Sequence, residues 1–217
     1  MKKIAVILAG CGNKDGSEIY EAVSLTIALG MAEAQIEFFA PNNDFTALNF
    51  MTDQALPEKR NVLVESARIA RSKIKNISEL QTKSFDGLAF PGGYGVALNL
   101  CDWASKGSEC TIHPEVKRCI DEFYQQSKPI AAICIAPVLI AKVLGKKGIT
   151  VTTGNDLDTA NEIIKTGAYH VDCPVDDYVT DRENKIITTP AYMYGDAKPY
   201  QVFKGISALV KEFIEMA

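Results

Sequence analysis

A cysteine stands at the point where a buried strand is predicted to turn into a helix. The apolar run Pro129–Ile133 leads directly into Cys134, and Pro137 begins a predicted helix. This is the layout of a nucleophile elbow, whose crowded turn needs small residues two positions either side of the nucleophile, and Ala132 and Ala136 hold those positions. A helix N-terminus stabilises a thiolate, so we expect Cys134 to have a lowered pKa and to be nucleophilic. The alternative is a small buried residue at a strand end.

A glycine-rich turn follows another apolar strand. The strand Gly87–Phe90 ends in Pro91-Gly92-Gly93-Tyr94-Gly95, and glycine lets backbone N–H groups approach a ligand closely. Gly92 and Gly93 are therefore predicted to supply oxyanion donors opposite the N–H of Ile135, the residue after the cysteine. The alternative is a purely structural turn.

Two carboxylates head an otherwise apolar helical stripe. The spacing predicts a helix over 17–31, and the face that carries Glu18 and Glu21 continues with Ala22, Leu25, Ala28, Leu29 and Ala32. A carboxyl group held near the sheet edge has a raised pKa and serves as a general acid or base. Glu18 also fits a capping box that begins at Asp15, which is a structural role. Glu21 is therefore our first choice for the catalytic acid–base, and Glu18 is the second.

Two further patterns carry less information. His170 and Cys173 are metal-ligating residue types, but a zinc site needs a second close pair of ligands, so we predict a structural histidine and no metal. The segment 10–16 follows the first strand, yet the dinucleotide fingerprint requires glycine where Asp15 stands. No cofactor is predicted.

Short apolar runs alternate with helical patterns along the whole chain. Strands are predicted at 4–8, 36–39, 87–90, 129–133, 149–152, 179–180 and 185–188, and helices at 17–31, 60–71, 114–126, 137–144 and 201–216. This order predicts an α/β fold with a mostly parallel sheet and helices on both faces. Ligands bind such sheets beyond the carboxyl ends of the strands, where Cys134 and the glycine-rich turns fall. No repeat or linker is present, so 1–217 is predicted to be a single domain.

Composition narrows the function classes. The net charge of -4 and the pI of about 5.3 argue against a nucleic-acid partner. No apolar run reaches the length of about 18 residues that a membrane span needs, and the apolar N-terminal run stops at Gly10, as a buried strand would. The six cysteines contain no C-x-x-C pair, which favours free thiols and a cytoplasmic location.

Taken together, these segments resemble the ThiJ/PfpI (class I glutamine amidotransferase-like) superfamily and, within it, the ElbB-like isoprenoid biosynthesis glyoxalase group. The resemblance spans nearly the whole chain. The superfamily shares the cysteine elbow, and the strings specific to the group are 60–71, 173–177 and 188–193.

The resemblance implies a flavodoxin-like three-layer sandwich, a homodimer, and a Cys134 nucleophile next to the Glu21 carboxyl group. It also implies a glyoxalase that needs neither glutathione nor a cofactor and converts a small 2-oxoaldehyde, methylglyoxal or glyoxal, to the 2-hydroxy acid. Many superfamily enzymes place a histidine shortly after the next strand, whereas this chain has none in 151–156. We therefore expect slow catalysis, or catalysis that uses Glu21 alone.

Two other functions stay open at this point. A reactive thiol also suits a cysteine-based redox or carbonyl-stress sensor, in which Cys134 is oxidised without turnover. The third possibility is an accessory protein linked to isoprenoid metabolism that performs no chemistry of its own.

Overall fold

A seven-stranded sheet forms the centre of the computed structural model, which describes residues 1–217. With strands numbered along the chain, the order across this sheet is β10 (Val179–Asp181), β11 (Ile186–Thr189), β7 (Ile130–Ile133), β6 (Gly87–Phe90), β1 (Lys3–Ile7), β2 (Gln35–Ala40) and β5 (Ile74–Asn76). All neighbouring strands are parallel except β10 and β11. The predicted mostly parallel sheet is confirmed.

Helices cover both faces of the sheet. Helix α1 (Ile19–Met31) packs against α7 (Pro199–Met216), and α4 (Pro114–Gln125) packs against α5 (Pro137–Leu144) beside β7. The shorter helices are α2 (Val62–Ile69), α3 (Trp103–Lys106) and α6 (Leu157–Lys165). The chain therefore has the predicted three-layer, flavodoxin-like α/β architecture. None of its helices combines the length and the apolar character that crossing a membrane requires.

The central strands are buried throughout, which explains why continuous apolar runs marked them in the sequence. Every residue of β6, β7 and β11 is buried, as is β1 from Ile4 onward. Strands with helices on both sides have no polar face, so their sequences do not alternate. Together with the inner sides of α1, α4, α5 and α7, they form one hydrophobic cluster of 53 buried residues.

The register of the central strands brings three loops together. Phe90, the last residue of β6, pairs with Ala132 of β7. Ile133, the last residue of β7, pairs with Thr189, the last residue of β11. Parallel strands end at one edge of a sheet, so the segments that follow β6, β7 and β11 begin side by side.

Several elements differ from those predicted. The hairpin of β3 (Asp44–Asn49) and β4 (Gln54–Asn61) is absent from the predicted elements because its strands carry polar, charged and proline residues instead of an apolar run. The predicted strand at 149–152 forms β8 (Thr150–Val151), but β8 pairs with β9 (Tyr169–His170) in a separate two-stranded sheet. The predicted helix at 60–71 begins only at Val62, because the Asn61 side chain accepts the Val64 N–H and caps it.

The start of α1 also differs from the predicted capping box. Glu18 is itself the cap, because its Oε2 accepts the Glu21 N–H at 2.6 Å. Asp15 instead accepts the backbone N–H of Leu48 at 2.8 Å. Asp15 therefore ties the loop after β1 to the β3–β4 hairpin and takes no part in capping α1.

Candidate active site

Cys134 occupies a strained turn between β7 and α5. Its φ is +61°, a left-handed conformation that residues with a Cβ seldom adopt. Its N–H donates to the Thr189 carbonyl at 2.9 Å, which continues the β7–β11 ladder by one residue. Ala132 and Ala136 are fully buried on either side. The backbone thus has the sharp turn that the elbow pattern predicts.

Glu21 lies in the first turn of α1 with no solvent exposure. Its Oε2 accepts the Gly92 N–H at 2.9 Å, and its Oε1 accepts the Tyr192 N–H at 3.1 Å. The same carboxyl group forms a hydrogen bond with the Cys134 thiol. The segments after β6, β7 and β11 therefore each supply one partner to this single carboxyl group.

Burial controls the ionisation of this pair. It raises the pKa of Glu21 to about 8, and the nearby charge of Glu18 adds to the rise. Burial also raises the pKa of the Cys134 thiol well above its usual value, and the charge of Glu21 reinforces it. The expectation that the helix N-terminus lowers the thiol pKa is wrong, because two N–H groups and a short helix do not offset the loss of solvent.

The N–H groups of Gly93 and Ile135 both form hydrogen bonds with the Cys134 sulfur. The predicted third donor, Gly92, has its N–H committed to Glu21. Gly92 is also hemmed in, since a Cβ there would lie 2.3 Å from the Cys134 Cβ. Gly92 therefore positions the carboxyl group, while Gly93 and Ile135 face the sulfur.

The thiol opens into a pocket of about 670 Å³. Cys134 is only 7% exposed at its base. The walls are formed by Asn13, Glu18, Tyr20, Gly93, Tyr94, Ile135, Asp156, Thr159, Tyr192, Met193 and Gly195. Glu18 is half-buried, and burial raises its pKa. Of the two candidate carboxylates, Glu21 contacts the thiol and Glu18 lines the pocket above it.

Some pocket residues were not among the candidates. The Tyr192 N–H holds Glu21, and its ring lies 6.3 Å from that of Tyr20. Tyr192 could have been found from its position just after β11, because ligands bind beyond the carboxyl ends of parallel strands. The same rule indicated Cys134 after β7. Asp156 and Thr159 come from α6, which no pattern in the sequence predicted.

His170 has a structural environment, in line with its interpretation from the sequence. The His170 ring is buried, and its Nε2 accepts the Thr153 N–H at 3.1 Å. Burial lowers the pKa of His170, which favours the neutral ring. No group of three or more His, Cys, Asp or Glu side chains is close enough to hold a metal ion.

Sequence comparisons find relatives along almost the full chain. The protein is 38% identical over 227 residues to the ES1 protein homolog, mitochondrial, of Rattus norvegicus. This alignment covers 99% of this chain and 84% of the relative. It is 40% identical over 225 residues to the glutamine amidotransferase-like class 1 domain-containing protein 3, mitochondrial, of Homo sapiens. This second alignment covers 99% of this chain and 83% of the human protein. These names refer to mitochondria, and a cytoplasmic location for this chain stays a prediction.

Structural comparisons agree. An isoprenoid biosynthesis protein with an amidotransferase-like domain from Ehrlichia chaffeensis superposes with a TM-score of 0.91 at 39% identity, over 98% of this chain and 99% of that one. A ThiJ/PfpI domain protein from Brachyspira murdochii shares the fold alone, with a TM-score of 0.61 at 14% identity over 98% and 96% of the two chains.

The sequence pattern of the DJ-1/PfpI family matches residues 22–194. The matched span contains the turn after β6 and the cysteine elbow, and it begins one residue after the carboxylate that binds the thiol. Because the match covers most of the chain and near-complete relatives share more than a third of its residues, this protein belongs to the DJ-1/PfpI family.

Proposed function

We propose that this protein is a glutathione-independent glyoxalase that converts a small 2-oxoaldehyde to the 2-hydroxy acid. The observation that carries the proposal is the hydrogen bond between the Cys134 thiol and the fully buried Glu21 carboxyl group at the base of an open pocket. A nucleophile beside a group whose pKa is about 8 is suited to addition coupled to proton transfer near neutral pH.

The first step is addition of the thiol to the aldehyde. Burial raises the pKa of Glu21 to about 8, so at neutral pH the reaction starts from the minor fraction of molecules in which this carboxyl group is ionised. As the Cys134 sulfur bonds to the aldehyde carbon, the thiol proton passes to that carboxylate, and the carbonyl electron pair moves onto oxygen. The N–H groups of Gly93 and Ile135 stabilise that oxyanion. Glu21 returns the proton to the oxygen, which gives a neutral hemithioacetal.

The second step moves hydrogen between the two carbons. Glu21 removes the proton from the carbon that bears sulfur, and the electron pair forms an enediol with the neighbouring carbonyl, whose oxygen takes up a proton from solvent. Glu21 then delivers its proton to the second carbon, and the hydroxyl oxygen on the first carbon becomes a thioester carbonyl as it loses its proton. The first carbon is oxidised and the second is reduced, so no external redox partner is consumed.

The last step releases the product. Water attacks the thioester carbonyl, the carbon–sulfur bond breaks, and the Cys134 thiol is regenerated with the hydroxy acid. No histidine lines the pocket, so Glu21 carries out every internal proton transfer in this scheme. We expect turnover to be slower than in enzymes with a cysteine–histidine pair, because one group serves as both acid and base.

The test is the disappearance of methylglyoxal and the appearance of lactate with purified protein and no glutathione. Cys134→Ser and Glu21→Gln should each abolish turnover. Cys119→Ser is the matched control, because Cys119 is buried in α4 and does not line the pocket, and it should retain full activity. Turnover that survives Cys134→Ser would exclude the proposed nucleophile. A stable sulfenic acid on Cys134 without any turnover would instead favour the sensor function.

A further inference from the structure

A second pair of thiols lies outside the pocket of Cys134. Cys101 and Cys110 are 7% and 3% exposed. Their thiols are close enough to affect each other's pKa, and the Cys101 thiol donates to the Val96 carbonyl at 3.4 Å. Neither residue lines the pocket, and neither takes part in the proposed glyoxalase reaction. This pair therefore calls for a separate explanation.

Two antiparallel segments bring these thiols together. Cys101 forms a backbone bridge with Ile112, and the Asp102 N–H donates to the Thr111 carbonyl at 3.3 Å. Side chains alternate along extended backbone, so Cys110, two residues before Ile112, lies on the same side as Cys101 at the diagonal position. The backbone thus places the two cysteines on one side of this ribbon as diagonal neighbours.

A lysine places positive charge beside one member of the pair. The Lys142 Nζ of α5 donates to the Ser108 carbonyl at 2.6 Å, close to Cys110. The hydrogen bond with Cys101 lowers the pKa of Cys110, and the charge of Lys142 lowers it further against the opposing effect of burial. The same hydrogen bond and burial raise the pKa of Cys101. Of the two thiols, Cys110 is therefore the one that loses its proton more readily.

Small molecules can approach the pair from the surface. Cys101 lines a surface cavity of about 230 Å³. Lys142 and Ser108 line a second cavity of about 470 Å³. Cys110 is flanked in the chain by Thr111, which lines the first cavity, and by Glu109, which lines the second. Because both thiols are almost fully buried, a small oxidant should reach them more readily than a bulky reagent does.

We propose that Cys110 and Cys101 form a peroxide-oxidisable dithiol, a modification site separate from Cys134. The Cys110 thiolate attacks one oxygen of hydrogen peroxide, the O–O bond breaks, and the departing hydroxide takes up a proton to become water, which leaves a sulfenic acid. The Cys101 sulfur then attacks the Cys110 sulfur. The S–S bond forms, the S–O bond breaks, and the oxygen leaves as water with the Cys101 proton. Two electrons pass from the thiol pair to the peroxide.

The experiment uses the full chain and a small molar excess of hydrogen peroxide. Remaining thiols are alkylated under denaturing conditions, and the protein is digested with trypsin, which cleaves after Lys106, Lys117 and Arg118 and so places Cys101, Cys110 and Cys119 on different peptides. We expect mass spectrometry to show the Cys101 peptide linked to the Cys110 peptide. Cys119 should remain alkylated, because burial raises its pKa to about 12. No linkage, or equal oxidation of Cys119, would overturn the proposal.

Variants test the separate roles of the two sulfur atoms, with Cys110 oxidised first and Cys101 forming the disulfide. In Cys101→Ser, dimedone added as the oxidised protein is denatured should trap a sulfenic acid on Cys110, because the resolving thiol is gone and unfolding exposes the buried sulfur. Lys142→Met should slow oxidation of Cys110 severalfold, because it removes a positive charge that lowers the pKa of this thiol. Lys146→Met, on the wall of the same cavity, is the matched control and should leave the rate unchanged.

Two results would overturn the assignments even if the disulfide forms. Equal oxidation rates in the Lys142→Met and Lys146→Met variants would show that Lys142 does not activate Cys110. Loss of the linkage in Cys134→Ser would show that Cys134 relays the oxidation, so the pair would not be a separate site. An unchanged linkage in Cys134→Ser is the expected outcome.

Discussion

Gly92 and Glu21 hold each other in place: the Gly92 N–H donates to Glu21 Oε2 at 2.9 Å, and a Cβ on Gly92 would lie 2.5 Å from that oxygen. The same Cβ would lie 2.3 Å from the Cys134 Cβ. Only a residue without a side chain can bring its N–H this close to the buried pair. The geometry of the thiol and the carboxyl group therefore depends on a residue that supplies no side-chain chemistry.

Gly92→Ala should reduce turnover by about a hundredfold or more, because the added methyl group must displace either the carboxyl group or the thiol. Overpacking of this kind costs about 1–3 kcal/mol of stability. Steady-state kinetics and urea unfolding measure the two effects. Gly30→Ala is the control: its Cβ would meet nothing within 4 Å, so activity should stay unchanged and stability should rise by about 0.5–1 kcal/mol. Normal turnover in Gly92→Ala would contradict the tight fit described here.

Glu21 should make the protein less stable as pH rises. Its ordinary pKa of 4.5 is raised to about 8 in the folded state, so between these values the folded state holds a proton that the unfolded state has lost. The free energy of unfolding should therefore fall across this window, by on the order of 5 kcal/mol from this one group.

Glu21→Gln should flatten that slope. It should also cost about 1–3 kcal/mol at pH 5, because its amide NH₂ must face the N–H of either Gly92 or Tyr192. Urea unfolding of both proteins at several pH values tests both statements. A variant with the wild-type slope would show that another group is responsible for it.

The reactivity of Cys134 should respond to the same carboxyl group. Burial and the charge of Glu21 both raise the pKa of the thiol. The rate at which iodoacetamide alkylates Cys134 should therefore keep increasing with pH above the pH at which the rate for N-acetylcysteine becomes constant. Removing the charge in Glu21→Gln should lower the pKa of Cys134 and shift the whole rate profile to lower pH. A shift in the other direction would mean that Glu21 stabilises the thiolate.

The negative charge of the pocket should slow the reaction of Cys134 with anionic reagents. Glu18 and Asp156 line it, with neither lysine nor arginine. The anion iodoacetate should therefore react with Cys134 more slowly, relative to neutral iodoacetamide, than it does with N-acetylcysteine. Asp156→Asn should relieve this bias about two- to threefold and still cap α6, because asparagine and aspartate are equally good caps. Asp158→Asn, exposed and outside the lining, is the control; an equal effect there would point to net charge.

The fold and the base of the site followed from local patterns. Apolar runs located the buried strands, and the rule that ligands bind at the carboxyl ends of parallel strands placed Cys134 and Gly93 at one edge. The sequence favoured Glu21 over Glu18 because it lies one turn deeper in the apolar stripe. The structure shows the physical reason, since Glu18 uses its carboxylate to cap the helix that buries Glu21.

The walls of the site did not follow from local patterns. Asp156 belongs to α6, a half-exposed helix whose polar sequence resembles a loop. Gly92 and Gly93 are adjacent, and only the Gly92 N–H donates to Glu21. Three-dimensional packing decides which of the two N–H groups faces the carboxyl group, so the sequence does not reveal this role. The raised pKa of Cys134 likewise reflects burial by distant segments, which outweighs the local effect of the helix N-terminus.

The hydrogen bond from Tyr192 to Glu21 joins residues 171 positions apart in the chain. During synthesis, Glu21, the turn after β6 and the cysteine elbow all leave the ribosome before Tyr192 does. A nascent chain that already exposes Cys134 therefore lacks the last donor that fixes its carboxyl partner. The arrangement of thiol, carboxyl group and backbone donors is therefore complete only after the segment that follows β11 has been synthesised and has packed against the sheet.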